Sequence, residues 1–583
     1  MALTNQEIAD IFDNIADMME INGENRFKYL SYRRAGETLT DLPRDLQAYV
    51  DDGTLTDIPG VGKAIGDKIK ELLETGQLQF YEKLRAEVPE TLLEIKRING
   101  VGPKKAKLFW DELNITTLPD LEKAAQEGKL RNLSGMGAKS EQKILDGINA
   151  LSRNRGRTPI GAAQNAADAI LNELLELPQV EQGIVAGSLR RGRPTIGDLD
   201  LLVVSDEAAP IMEHFVSMSR VARILGQGPT KSSVELRTGL QVDLRVLPRE
   251  RFGTALQYFT GSQAHNIRIR EIALKQGYSL NEHALRPVDS DGNMKDESEY
   301  LYCATEEEVY EAIGLPWIPP EIREDQGEIE AAQQGKLPHL ITTDHLIADL
   351  HMHTTASDGT LTIREMAEAA RERGIQYIVI TDHSQRNIIA NGLSTERVLE
   401  QQKEVRQIDE SYGDDFHILH GIEMDILEDG SMDYPDEVLA QLDFVVASLH
   451  FGLTQDRATV TQRLINAISN PHIDCIGHMT GRLIGSRPGA DIDFDAVFSA
   501  AVEHGTILEI NANPMRLDLD AQYARRAIEL GIPLAINTDA HSANQMDLRS
   551  YGILTARRAW AEPENVVNTW PFARFLDWIR ARG

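Results

Sequence analysis

Asp198 and Asp200 stand two residues apart in the run Gly-Asp-Leu-Asp-Leu-Leu-Val-Val. On a β-strand that spacing sends both carboxylates to one face. A third acid, Asp243, lies in Gln-Val-Asp-Leu-Arg-Val, which alternates in the same way. Three carboxylates on neighbouring strands can hold two divalent ions about 3.5–4 Å apart, an arrangement that serves in-line phosphoryl transfer. All-oxygen ligation suits Mg2+ or Mn2+. Just upstream, Gly187-Ser188 with Arg190 and Arg191 offers amide, hydroxyl and guanidinium donors for a triphosphate. A solvated strand face would also carry Asp198 and Asp200, but the Gly-Ser…Gly-Asp-x-Asp context favours chemistry.

The C-terminal part holds a denser set. His351-Met352-His353 follows an apolar run, and Asp358 comes next. His383 lies in Thr-Asp-His and Glu423 in Gly-Ile-Glu-Met-Asp. His450 ends Phe-Val-Val-Ala-Ser-Leu-His, His478 lies in Ile-Gly-His, and Asp539 and His541 lie in Asn-Thr-Asp-Ala-His. His-x-His at a strand end puts two imidazoles on one face. A lone histidine of this kind is more often structural, but so many at predicted strand ends point to metal. Imidazole with carboxylate suits Zn2+, Mn2+ or Fe2+, and open coordination positions let such ions activate water.

A third pattern repeats near the N-terminus, as Ile58-Pro59-Gly60-Val61-Gly62, Ile98-Asn99-Gly100-Val101-Gly102 and Leu133-Ser134-Gly135-Met136-Gly137. In each copy two glycines flank one apolar residue and a helical pattern follows. The turn lets the backbone approach closely, and the helix N-terminus then offers free N–H groups to a phosphate. This is a helix-hairpin-helix pattern, which grips a nucleic-acid strand without reading bases. One copy is weak evidence; three place Gly60, Gly62, Gly100, Gly102, Gly135 and Gly137 on a DNA-binding surface.

The elements that must carry these residues follow from periodicity. Ile8, Ile11, Phe12, Ile15, Met18 and Met19 recur at helical spacing. Gln182–Val185, Leu199–Val204 and Leu240–Leu247 read as strands. Beyond residue 345, Ile347–Leu350, Tyr377–Thr381 and Phe444–Ser448 each run into His or Asp, which implies βα units with function at the strand C-termini. Residues 318–345, with Pro319-Pro320 and many acids and glutamines, read as a linker between two separable halves. The formal charge of −31 is unfavourable for a nucleic-acid partner, yet residues 151–280 are net positive, so binding must rest on local motifs. No apolar run is long enough for a membrane span, no secretory signal is visible, and two cysteines make no disulfide framework, so a cytoplasmic protein is expected; nothing in the sequence demands a dimer, so a monomer is the expectation.

Gly187-Ser188 followed by Gly197-Asp198-Leu199-Asp200 resembles the nucleotidyltransferase signature. Tyr258-Phe259-Thr260-Gly261-Ser262, with Asn266 and Arg270 beyond, resembles the nucleotide pocket of X-family DNA polymerases such as DNA polymerase beta. The resemblance runs from the first helices to about residue 316. It implies that Asp198, Asp200 and Asp243 are metal ligands and that Asp243 accepts the proton of the primer 3′-hydroxyl. It implies that Gly187, Ser188, Arg191 and Arg157 hold the triphosphate, and that Tyr258 and Phe259, beside Gly261, back the sugar. Asn266 would contact the incoming base and Arg270 the template strand. By the same resemblance Lys68 matches a Schiff-base lysine of a lyase, with Lys28, Tyr32 and Arg33 in its pocket and Ala64 where a second cation is usual.

His351, His353, Asp358, His383, Glu423, His450, His478, Asp539 and His541 match, in order, the nine-ligand pattern of the PHP (polymerase and histidinol phosphatase) family over about 345–575. That resemblance implies a distorted (β/α)7 barrel with about three Mn2+ or Zn2+ ions. Arg482 and Arg487 are candidate phosphate clamps. The expected fold is multidomain α/β. Helix-hairpin-helix regions occupy 1–85 and 86–150, the second fingers-like. A nucleotidyltransferase palm follows over 151–260, a thumb-like nucleotide-selection domain over 261–317, a linker over 318–345 and a PHP barrel over 346–583. The resemblances imply a repair polymerase that fills gapped or nicked DNA from dNTPs and processes 3′ ends by 3′–5′ exonuclease or abasic-site endonuclease action. The alternative is a nuclease-first enzyme whose polymerase core mainly holds DNA, which the acidic surface favours and the complete aspartate triad opposes.

Overall fold

The computed structural model describes residues 5–40, 46–58, 60–96, 98, 101–154, 157–289 and 294–582. It divides into two compact units, 1–155 with 485–488, and 156–484 with 489–583.

The first unit is helical. The helix Asn5–Asn22 buries Ile8, Phe12, Ile15, Met18 and Met19 on one stripe, as the spacing predicts. It packs on Arg26–Thr40 and reaches Pro103–Leu113 and Gln79–Glu87. The three glycine repeats share one geometry. Val61 N–H donates to the Ile58 carbonyl at 3.0 Å, Val101 to Ile98 at 2.9 Å and Met136 to Leu133 at 3.0 Å. Helices begin immediately after, at Lys63, Pro103 and Ala138. Val61 and Val101 are buried and Met136 packs on the same core, while Gly60, Gly62, Gly102 and Gly135 are exposed. Gly100 lies outside the described residues.

The second unit opens with a five-stranded sheet: β1 (Gln182–Val185), β2 (Asp198–Val204), β3 (Val221–Gln227), β4 (Lys231–Leu236) and β5 (Gln241–Leu247), in the order β1-β2-β5-β4-β3. Only β2 and β5 pair in parallel. Alternation sorts the faces. Leu199, Leu201 and Val203 join Val242, Leu244 and Val246 beneath the helices Ile160–Leu175 and Ala208–Ser217. Leu202 and Val204 face the opposite way, under the helix Phe252–Thr260. Asp198 and Asp200 share this second parity.

The stretch 318–345 is packed, in contrast to the linker expected from its composition. Ile318, Ile322, Ile329 and Leu340 are buried with Val309 and Tyr310 in the core that the helices Gln263–Lys275 and Glu306–Ala312 build, and Ile341 enters the barrel core. Its acids find protein partners instead of water: Glu321 pairs with Arg557, Glu324 pairs with Arg191 and Arg558, and Glu328 hydrogen-bonds buried His265 at 2.7 Å. An acid-rich composition therefore marks a strap of ion pairs here.

Seven parallel strands follow in sequential order: β6 (Ala348–Asp349), β7 (Tyr377–Ile380), β8 (His417–Asp425), β9 (Phe444–Ser448), β10 (Cys475–Ile476), β11 (Ile507–Asn511) and β12 (Leu534–Asn537). They form a near-closed barrel. Beyond the ends of β6 and β12, Met352 pairs with Ala540. The buried Asn568 bridges the seam, donating to Ala348 O at 3.1 Å and Ile536 O at 2.9 Å. Trp570, Phe572 and Phe575 seal the N-terminal ends of the strands, where Phe572 stacks on His417 and Phe575 packs on Tyr377 and Phe444. The C-terminal ends are left for chemistry. Both cysteines are buried and free, and no helix among the described residues is long and apolar enough to cross a membrane.

Candidate active sites

The parallel register of β2 and β5 sets Asp200 opposite Asp243 and Asp198 opposite Gln241. The three carboxylates predicted from the spacing therefore meet on one face. Burial, then the charges of Asp198 and Asp243, push the Asp200 carboxyl up to about 7. Asp243 is held below its ordinary range despite burial, because Lys231 lies 2.8 Å from its Oδ2 and Gln241 donates to Oδ1 at 3.0 Å. Such a trio resists holding full negative charge alone, and a divalent cation relieves that strain. Gly187 makes room for it. Its φ is +62°, and a Cβ there would lie 2.5 Å from Asp200 Oδ2. The donor set and this tight approach both fit oxygen-ligated ions.

The carboxylates open onto a cleft of about 650 Å3 lined by Arg157, Gly187, Ser188, Arg191, Asp198 and Asp200, and across from them by Tyr258, Phe259, Gly261, Asn266 and Arg270. Residues more than a hundred positions apart are thus brought together as the sequence motifs predict. Phe252–Thr260 ends at Gly261, so Tyr258 and Phe259 sit in its last turn, their rings edge to face at 5.1 Å. Asn266 is fixed by a 2.7 Å bond to the Tyr258 carbonyl and accepts from Gln257 at 3.0 Å. Arg191 donates to the Thr260 carbonyl at 2.6 Å. Its neighbour Arg190 turns away: it forms a bidentate pair with buried Glu306 at 2.7 and 2.8 Å, so it is a structural residue and not a cleft donor. Gln263, Arg193 and Glu324 also line the cleft. No motif pointed to them, because their approach to the cleft is set by tertiary packing.

At the barrel mouth all nine predicted residues converge. Three groups have ligand atoms mutually within 4.8 Å: His353, Asp358, His383 and His541; His351, His353, Glu423 and Asp539; and His383, Glu423 and His450. His478 Nε2 approaches Glu423 Oε1 at 2.9 Å. Glu423 is central and fully buried, yet neither of its oxygens accepts a hydrogen bond, and buried His351 Nε2 and His353 Nδ1 likewise make none. Buried polar atoms are seldom left so. Several imidazoles are also fixed from behind. His351 Nδ1 lies 2.7 Å from Glu509, His450 Nδ1 lies 2.7 Å from Asp425, and His541 Nδ1 lies 2.8 Å from the Asp539 carbonyl. A carboxylate on Nδ1 selects the tautomer whose Nε2 lone pair faces a metal. Despite burial, the surrounding carboxylates raise His351 and His383 well above the ordinary imidazole range. The residues fit divalent metal.

The chain is 39% identical to the DNA polymerase/3'-5' exonuclease PolX of Bacillus subtilis (strain 168), over 97% of each chain. The chain belongs to the PolX family. Family models agree segment by segment: a helix-hairpin-helix domain over residues 3–78, a SAM-like helix-hairpin-helix tandem over 90–150, a DNA polymerase beta thumb over 255–324 and a PHP domain over 349–513. A DNA polymerase lambda of Arabidopsis thaliana is 29% identical over 55% of this chain and 62% of its own length. A probable phosphatase of Thermoanaerobacter sp. (strain X514) is 32% identical over 38% of this chain and 91% of its own. Membership of the PolX family and the two donor sets together imply divalent-metal use.

In this PolX-family chain, the second unit holds both sites. Arg558, from the barrel helix Arg549–Arg558, donates to the Arg191 carbonyl at 2.7 Å and to Glu324 at 2.9 Å. Leu517 is buried in the palm core. Palm and barrel are therefore packed together, whereas the composition suggested separable halves. Glu509 and Asp425 were not anticipated. Asp425 follows Glu423 at i+2 on β8 and so shares its face, a signal present in Gly-Ile-Glu-Met-Asp. Glu509 is an acid inside the apolar strand β11, where only pairing explains burial. Arg482 donates to the Arg516 carbonyl at 2.7 Å and pairs with Asp520 at 3.2 Å. Arg516 Nε lies 4.0 Å from Asp539 in the cluster. In the helical unit, Lys68 Nζ lies 5.3 Å from the Phe80 ring centre and 5.9 Å from that of Tyr32, and these two rings stack. Lys28 pairs with Glu24, and Arg33 with Asp17.

Proposed function

We propose that this enzyme fills short DNA gaps by template-directed dNTP addition in the palm–thumb cleft and trims 3′ ends at the barrel mouth. The observation that carries the reading is the pair of unlike centres on one chain: an aspartate trio facing a cleft, and a His-rich cluster at a barrel mouth. In the cleft, Asp198, Asp200 and Asp243 hold Mg2+ or Mn2+, ions that neutralise phosphate charge and ease deprotonation of a hydroxyl. Asp243 accepts the proton of the primer 3′-hydroxyl. Ser188, Arg157 and Arg191 orient the triphosphate around the Gly187 turn, Tyr258 and Phe259 back the sugar, Asn266 meets the incoming base and Arg270 the template strand.

At the barrel mouth the nine ligands hold Mn2+ or Zn2+, which supply Lewis-acid stabilisation to a scissile phosphodiester. Glu509 and Asp425 keep their histidines in the ligating tautomer, and Arg516, 4.0 Å from Asp539, is a cation within reach of a phosphate bound there. The glycine turns at Gly60, Gly62, Gly100, Gly102, Gly135 and Gly137 grip the DNA backbone. Lys68 is the Schiff-base candidate at abasic sites, tested by borohydride trapping that disappears in Lys68→Ala.

The deciding experiment offers the full chain a gapped duplex with dNTPs and follows extension and 3′ resection together. Asp198→Asn with Asp200→Asn is expected to abolish extension and leave resection. Glu423→Gln is expected to do the reverse. Extension that survives in the first variant, or resection that survives in the second, overturns the assignment of that site.

A further inference from the structure

Ile389 and Ile388 are adjacent in sequence and 92% and 80% exposed. Both lie on the loop that leaves the ligand His383. Large aliphatic side chains usually gain from burial, so two together in water call for a reason. The loop is braced on both flanks. At its base, Leu393 N–H donates to the His383 carbonyl at 2.8 Å and Gly392 to the Asn387 carbonyl at 3.0 Å. Outside, Arg386 N–H donates to Asp433 at 2.8 Å and Gln385 to the Asp433 carbonyl at 3.1 Å. Arg397 donates to the Asn391 and Gly392 carbonyls at 3.0 and 3.1 Å. Gly392 admits no side chain, since a Cβ would lie 1.9 Å from the Ser384 carbonyl oxygen. The tip is held outward by a built support.

Its position defines what can touch it. Asn387 Nδ2 lies 3.4 Å from His383 Nδ1, and Ile388 is the next residue in the chain. On the same loop, Arg386 lies over the Phe451 ring at 5.1 Å, and Phe451 follows the ligand His450. The cluster mouth is thus flanked by an apolar tip and a guanidinium that also pairs with Glu428 at 3.3 Å, groups that complement a base and a phosphate respectively. We propose that Ile388 and Ile389 form a rigid wedge that packs against the 3′-terminal nucleobase of the strand whose phosphodiester lies in the cluster. This rests on the reading of the barrel mouth as a 3′-processing site.

The test is a cycle on the full-length, metal-loaded protein. The wild type and Ile388→Ser/Ile389→Ser are compared on single-stranded oligonucleotides ending in a normal nucleotide or in an abasic tetrahydrofuran residue. The wild type is expected to resect the normal end about tenfold faster in kcat/KM than the abasic end, the value of one good apolar contact. In the variant that ratio is expected to fall to near one, with the abasic-end rate unchanged. A ratio that persists in the variant overturns the wedge. A marked drop in the melting temperature of the variant also overturns it, since the tip would then be covered by another part of the chain. If the wild type resects neither end, the 3′-processing reading fails and the wedge falls with it.

Discussion

Gly187→Ala tests whether the turn before the aspartate strand sets the position of its carboxylates. Gly187 stands at φ +62°, a conformation that costs an alanine about 1–2 kcal/mol. The added Cβ would lie 2.5 Å from Asp200 Oδ2, whereas ordinary contact begins near 3.4 Å, so the carboxylate must retreat by roughly 0.9 Å. The ladder with Asp243 and the 2.8 Å bond from Ala186 to its carbonyl hold the Asp200 backbone in place, so the carboxylate itself must turn to clear the added Cβ. Displacing a reacting group by about 1 Å costs on the order of 100-fold in rate. Extension of a one-nucleotide gap, followed in single turnover, is therefore expected to fall about 100-fold. Resection by the barrel, measured on the same preparation, is expected to stay within about twofold, because the cluster residues touch neither Gly187 nor Asp200. Extension within threefold of wild type would refute the reasoning, and so would an equal loss of both activities.

The Glu306 carboxyl is held at about 2 although burial raises it, because Arg323 and Arg190 donate to it. Its stabilisation is present above its ordinary 4.5 and is lost as pH falls from there to about 2, so Glu306→Gln should cost about 3 kcal/mol at neutral pH and flatten the acid limb. Fluorotryptophan NMR reads this at Trp317, whose Nε1 donates to Glu306, and an unchanged urea midpoint at pH 7 would count against it. Glu509→Gln should weaken metal affinity of the barrel about 10–100-fold by releasing His351, while gap filling persists, with metal content by elemental analysis as the measure. Gly62→Val with Gly102→Val should lower DNA affinity about tenfold on every sequence in a low-salt titration. Both positions are extended and have open space at Cβ, so the hairpins should fold, and unchanged affinity would remove the phosphate role.

The union of palm and barrel bears on how such variants are read. Arg558 from the barrel holds both Glu324 and the carbonyl of Arg191, a residue that lines the palm cleft. A destabilised barrel therefore reaches the polymerase cleft through two hydrogen bonds. Conservative ligand changes such as Glu423→Gln separate the activities better than deletion of the barrel would.

Much of this protein is local in origin and so can be read along the chain. The i, i+2 spacing of Asp198 and Asp200 dictates their common face once the strand forms, because pleating leaves no choice. The Gly-x-Gly turns dictate where the helices after Gly62, Gly102 and Gly137 begin. The nine candidate ligands of the barrel follow strand after strand, since parallel βα units bring every strand C-terminus to one mouth. Other features exist only through contact. Asp243 meets Asp200 because β2 and β5 pair in register, although β3 and β4 lie between them in sequence. The acidic stretch 318–345 resembles a solvated linker until Arg557, Arg191 and His265, from distant elements, arrive to pair its glutamates. Arg190 and Arg191 are equivalent in sequence, and only the direction of the short helix Gly187–Arg190 sends one to Glu306 and the other to the cleft. Glu509 reads as an acid misplaced in an apolar strand until His351 folds against it. Spacing and turn chemistry act over a few residues and are written in the chain, whereas ion pairing and burial depend on partners that only the folded chain brings within reach.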